Sequence, residues 1–193
     1  MRVCELTEFG QHALNDPAIA RSRLVGGLTS LEGAIALIDS ATEASDIYTL
    51  ERESFTLAGA RFNISQHEGH GYWEFLRLAS DLFVVISDMT YREKVPVQVP
   101  GEDFIEFHFR FSGRLSLMPS PDMPIDVNGP SLLVWRQAAG HDIVEYIHGG
   151  ARDTTLTIYC RRSSLARYFG RYAETLPANI LNCQDFAFLR MPI

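Results

Sequence analysis

Val99–Gly113, VPGEDFIEFHFRFSG, sets Glu106, His108 and Arg110 in strict alternation with Ile105, Phe107, Phe109 and Phe111. Side chains on a strand alternate faces, so the polar row shares one face and the aromatic row the other. If the aromatic face packs in a core, Glu106, His108 and Arg110 must point at solvent or into a cavity.

Outward from this stretch, short β-like runs continue on both sides. Before it stand FTLAGARFNIS, YWEFLRL and LFVVISDMT; after it RLSLM, SLLVWRQ, DIVEYI and TTLTIYC. Clusters such as VPVQVPGED, MPSPDMP and NGP separate them as turns. Many short strands at roughly ten-residue spacing imply an antiparallel sandwich or barrel rather than a doubly wound sheet. The expected barrel runs over 55–160. Residues 1–54 read as an N-terminal arm with a short helix carrying Leu31, Ile35 and Ile38. Residues 161–193 read as a terminal helix and tail. In RRSSLARYFGRYAETLP, Leu165, Tyr168, Phe169, Tyr172 and Leu176 recur at helical spacing, which predicts a helix over 163–176 with Ser163 or Ser164 as N-cap and Pro177 closing it.

Composition narrows the function. The 193 residues are 46% apolar, enough for a packed core. Lys plus Arg number 17 against 24 Asp plus Glu, a net charge of −7, so no global positive field gathers nucleic acid or anionic lipid. MRVCELTEFGQH lacks the apolar run of a signal peptide and no segment approaches the roughly 20 apolar residues of a membrane span, so a cytoplasmic location is expected. Cys4, Cys160 and Cys183 are odd in number and widely spaced, which fits reduced thiols better than a disulfide framework or zinc site.

GEDFIEFHFRFSGRLSL resembles the first conserved stretch of the cupin double-stranded β-helix, with Glu106 followed seven residues later by Gly113. NGPSLLVWRQAAGHDIVEY resembles the second, with Gly129 and His141 at matching places if one extra residue is allowed in the turn. The paired histidines of that family would fall near Val99–Glu102, where none stands, so Glu106 and His141 alone remain of four usual ligand positions. Two protein ligands form a poor transition-metal site, and no metal or other cofactor is expected.

A second resemblance covers about 62–177. HGYWEFLRLASDLFVVISDMTYREK, VPGEDFIEFHFRFSG, PSLLVWRQ and TIYCRRSSLARYFG, in that order, are similar to the N-terminal sensor half of AraC-type transcription regulators. The resemblance implies a mostly β, cupin-like jelly-roll barrel that binds a small organic effector and forms a homodimer. DNA binding would lie in a second half with two helix-turn-helix units. No such half follows Ile193, so the expected object is a separated sensor half or a stand-alone relative, without nucleic-acid or membrane contacts of its own.

The candidate ligand site is Glu106, His108, Arg110 and His141, walled by Trp73 and Trp135. An ionised acceptor, an imidazole and a guanidinium orient a ligand, while the aromatic side chains supply buried area. The plainer alternative for the row is a solvated sheet face. His67 and His70 read as surface-loop residues. Leu165, Phe169, Tyr172 and Leu176 either pack on the barrel or form the dimer seam. No nucleophile elbow, HExxH helix or phosphate-cradling loop is present, so no catalytic residues are assigned. The alternative enzyme reading, a metal-free cupin isomerase, rests on Glu106 and His141 alone.

Overall fold

The computed structural model describes residues 47–52, 55–64 and 66–193. The helix expected around Leu31 and Ile38 lies outside them. The strands are β1 (Ile47–Arg52), β2 (Phe55–Asn63), β3 (Gly69–Ala79), β4 (Leu82–Tyr91), β5 (Val95–Val99) and β6 (Phe104–Ser112). They continue as β7 (Arg114–Met118), β8 (Ile125–Asn128), β9 (Ser131–Gln137), β10 (Ile143–Ile147), β11 (Asp153–Arg161) and β12 (Phe186–Pro192). Because β1 pairs with β2, the sheet extends into the zone expected to be an arm.

Two antiparallel sheets form. The larger has the order β1-β2-β3-β4-β11-β6-β9-β12 and the smaller β5-β10-β7-β8. From β4 to β11 the chain changes sheet at every connection except β7 to β8. The pairings β4-β11-β6-β9 and β5-β10-β7-β8 are those of an eight-stranded jelly roll, the cupin-type double-stranded β-helix. β1–β3 widen the large sheet at one end and β12 at the other.

The interior between the sheets is apolar over most of its volume. Phe75, Val85 and Leu133 of the larger sheet face Val97, Leu117, Ile143 and Ile147 of the smaller one there, all buried. Burying each such side chain contributes about 1.5–3 kcal/mol. A second core forms on the outer face of the large sheet, where Ile105, Val134 and Cys160 are covered by Leu165, Ala173 and Ile180. β6, β9 and β11 are thus sandwiched on both faces. That is why they carry so few side chains that could face water.

This double burial settles the opening stretch. Glu106, His108 and Arg110 turn into the barrel, with exposures of 5%, 8% and 2%. The aromatic row faces outward under the C-terminal segment: Phe107 lies against Phe169, ring centroids 5.1 Å apart, while Phe111 at the strand's end is exposed.

The expected single helix over 163–176 is broken. A 3-10 turn at Arg162–Ser164 leads into α1 (Leu165–Phe169), followed by a 3-10 turn at Gly170–Thr175. Gly170 stands at φ 54°, ψ −134°, a conformation open to glycine and far from helical, so the helical periodicity of the sequence outlasts the helix itself. Ser164 makes no capping bond to the backbone; its hydroxyl bonds Asp81, which also accepts from Tyr168 and lies 3.8 Å from Arg167. The β3–β4 turn therefore anchors α1. Beyond Pro177 the expected tail is ordered: α2 (Ala178–Leu181) precedes β12, which pairs with β9.

Arg136 ties this end down. Its guanidinium donates to Asp103 Oδ1 and to the carbonyls of Leu181 and Cys183. Of the proposed seam residues, Leu165, Phe169 and Leu176 pack onto the outer sheet face and Tyr172 is 64% exposed. The stripe covers the barrel rather than standing free. Among the described residues no helix is long and apolar enough to cross a membrane.

Candidate functional site

Between the sheets lies a cavity of about 60 Å³. One buried water needs roughly 10–15 Å³ by the same measure, so this space suits a molecule of a few non-hydrogen atoms. Trp73, Phe75, Val85 and Met89 from β3 and β4 form an apolar wall with Leu115, Trp135 and Ile147. His108, Arg110, Glu145, Asp153 and Thr157 bring polar atoms to it.

Arg110 and Asp153 are neighbours across β6 and β11. Nη1 of Arg110 donates to Asp153 Oδ1 at 2.5 Å, and also to the Ser112 carbonyl at 3.4 Å, while Nε of Arg110 has no partner among the described residues. Burial pushes the Asp153 carboxyl up, against the opposing pull of Arg110. Gly113 belongs to this arrangement: at φ 94° it brings the chain so close that a Cβ would lie 2.8 Å from the Asp153 carboxyl carbon. The glycine that closes the opening stretch is thus required by the ion pair behind it.

His108 shares a hydrogen bond with Thr157 Oγ1 through Nδ1 at 2.8 Å, and its ring lies 5.1 Å from that of Trp135. Burial, reinforced by the Arg110 charge, holds its pKa well below the usual value, so the ring is neutral. Its Nε2 is buried without a partner among the described residues. Trp73 donates from Nε1 to the Met89 sulfur, which leaves its ring as wall. Ser87 and Thr155 hydroxyls pair with each other at 2.5 Å.

Glu145 reaches the cavity from β10 on the opposite sheet. Burial pushes its carboxyl up to about 7, with Arg110 pulling down and Asp153 pushing up.

Glu106 stands one residue pair along β6, in a smaller adjoining space of about 10 Å³ lined by Val99, Gln137 and Tyr159. Val99 and Tyr159 border both spaces. Burial first, then the Glu145 charge, holds the Glu106 carboxyl well above its usual range, partly offset by the Trp135 and Tyr159 donors beside it. Glu106 Oε2 and Trp135 Nε1 nonetheless stay without a well-formed hydrogen bond.

The expected six residues are therefore not all assembled. His108, Arg110, Trp73 and Trp135 line the main cavity, and Glu106 lines the space next to it. His141 lies in the turn between β9 and β10, where its backbone N–H donates to the Ala138 carbonyl and its carbonyl accepts from Gln137; it lines neither space.

Glu145, Asp153, Thr157 and Tyr159 were missed. A signal existed: Ile143, Glu145 and Ile147 share a strand face, as do Asp153, Thr155, Thr157 and Tyr159, the same polar-within-apolar parity that marks β6.

Among the described residues no group of three or more His, Cys, Asp or Glu side chains could hold a metal ion. The donor set at Glu106, with Trp135, Tyr159 and Gln137 around it, does not fit one. Cys160 and Cys183 are free thiols, and burial pushes Cys160 to about 11, which keeps it protonated and inert as a nucleophile.

No protein-family model matches the chain, and no curated protein matches it significantly. Solved structures do. A cupin superfamily protein from Desulfitobacterium hafniense is 13% identical over 58% of this chain and 83% of its own, with a TM-score of 0.34. A protein from Photorhabdus luminescens is 12% identical over 64% of this chain and 89% of its own, TM-score 0.36. A mutant of Bacillus subtilis oxalate decarboxylase is 12% identical over 67% of this chain and 41% of its own, TM-score 0.36.

Proposed function

We propose that this barrel is the effector-binding and dimerisation domain of an AraC-type transcription regulator, which holds a small organic molecule between its two sheets. One observation carries the ligand: among the described residues His108 Nε2 and Arg110 Nε are buried without partners in the wall of a largely apolar cavity, and such atoms call for a molecule that supplies them. The AraC-type reading adds the sequence resemblance over about 62–177 and the net charge of −7, which leaves DNA binding to another part of a regulator. The isomerase alternative has less support, since the Glu106 and His141 it requires face different surroundings.

Both tryptophans of the chain line the cavity, so their fluorescence reports occupancy directly. A metabolite screen by fluorescence and thermal shift, repeated on Arg110→Ala and His108→Ala, tests the site. Loss of binding in both variants is the expected result; binding unchanged in both defeats it. An effector acts only through different affinities for two states. Sedimentation with and without a hit should therefore show a shift in homodimerisation, and Tyr172→Ser on the exposed part of the C-terminal segment should weaken the dimer. A hit that leaves assembly untouched removes the regulatory reading and leaves the pocket.

A further inference from the structure

We propose that the molecule held in the barrel carries a protonated nitrogen, seated against the Glu145 carboxyl among the aromatic rings of Trp73, Phe75 and Tyr159. The inference rests on the effector reading and names its ligand class.

The cavity's charges are unevenly matched. Among the described residues Arg110 is its one guanidinium, and its Nη1 is already committed to Asp153 at 2.5 Å and to the Ser112 carbonyl. His108 is neutral. Across the cavity, Glu145 extends from the opposite sheet and its carboxyl makes no hydrogen bond among the described residues. A carboxylate in such surroundings is costly unless a positive partner reaches it, and the protein supplies that partner to Asp153 instead. The walls favour the same answer, because aromatic faces carry negative potential and attract organic cations once water is excluded. A ligand anion would meet Glu145 and Asp153 and compete for a guanidinium in use. The same cation can turn an acceptor atom toward Arg110 Nε on the large sheet and a polar atom toward His108 Nε2, which donates or accepts according to the ring's tautomer.

The volume limits the group to a small ammonium. Glu145, pushed up to about 7 by burial, ionises around neutrality, so affinity for a cation should rise between pH 6 and pH 8. The other groups facing it are Arg110 and Glu106 from β6 and Asp153 and Tyr159 from β11. Of these Arg110 opposes a cation and is offset by Asp153.

The test titrates the full chain with ethylammonium, ethanol and acetate at constant ionic strength, followed by tryptophan fluorescence and by NMR. For a three-atom probe the best affinity is roughly millimolar. The expected result is saturable binding of ethylammonium, tighter than acetate, at least fivefold tighter at pH 8 than at pH 6, and at least fivefold weaker in Glu145→Gln, whose fold is checked by its NMR spectrum. Acetate or ethanol binding as tightly as ethylammonium in the unaltered protein overturns the cation while the effector reading stands. Ethylammonium binding unchanged in a folded Glu145→Gln does the same. Failure of all three probes to perturb Trp73 or Trp135 overturns the proposal and counts against the effector reading as well.

Discussion

Arg110 and Asp153 form an ion pair at 2.5 Å with side-chain exposures of 2% and 4%, joining β6 to β11 inside the barrel. Removing one partner of a buried pair strands the other charge, at a cost of about 3–5 kcal/mol. Arg110→Met should therefore lower stability by that order in urea denaturation, the more so because Glu145 lies nearby. Arg110→Met combined with Asp153→Leu should recover much of the loss. If the double variant is no better than the single one, the pair is not the source of the effect.

Gly113→Ala should destabilise the protein by about 1–3 kcal/mol, since φ 94° disfavours any side chain and the added methyl would press on the Asp153 carboxyl. The neighbouring turn glycine Gly129 also has positive φ, yet a Cβ there meets nothing, so Gly129→Ala should cost less. Thermal melts of the two variants side by side check the order.

Glu145 should give stability a characteristic pH dependence. Its folded-state pKa of about 7 lies above the ordinary carboxyl value of 4.5, so between these values the folded state holds a proton that the unfolded state has lost. Its contribution therefore declines as pH rises from about 4.5 to 7 and stays low above. Glu145→Gln removes this slope. Relative to the unaltered protein, the variant should gain stability from pH 5 to pH 8, by an amount on the order of 3 kcal/mol at most. Urea midpoints at four pH values test it, and parallel curves would refute the assignment.

Arg136 holds α2 and the following turn through the Leu181 and Cys183 carbonyls. Arg136→Met should cost on the order of 3 kcal/mol, because several charge-assisted bonds go at once. Amide exchange should rise first in residues 178–192. Uniform loss of protection over the whole barrel would mean that this end does not open by itself.

Proteins with this chain's alternation could be read as strands without coordinates. β6, β9, β10 and β11 fall where the runs FIEFHFRFS, SLLVWRQ, DIVEYI and TTLTIYC predict, because period-two patterning is a local property of the backbone. An antiparallel sandwich or barrel followed from their number and spacing, the jelly-roll reading came from the resemblance to cupins, and the pairing order agrees with both.

Orientation needed the tertiary structure. Alternation says that Glu106, His108 and Arg110 share a face but not which side that face takes. The answer came from α1 and Ile180, which cover the opposite face and leave the polar row only the interior. For the same reason Phe107 found a partner in Phe169, 62 residues away in sequence, and the helical periodicity past Gly170 continues as a 3-10 segment rather than an α-helix.

The sequence by itself determined most of the strands, the antiparallel sandwich or barrel class and the negative charge, which depend on local patterning or simple counting, although Val95–Val99, read within a turn cluster, is β5. The tertiary structure decided that the polar row is buried, that Asp153 engages Arg110, that Glu145 arrives from the facing sheet, and that His141 stays in a turn. Those facts depend on which strands become neighbours across two sheets, and the energy of a buried charge is set by such neighbours rather than by its own segment.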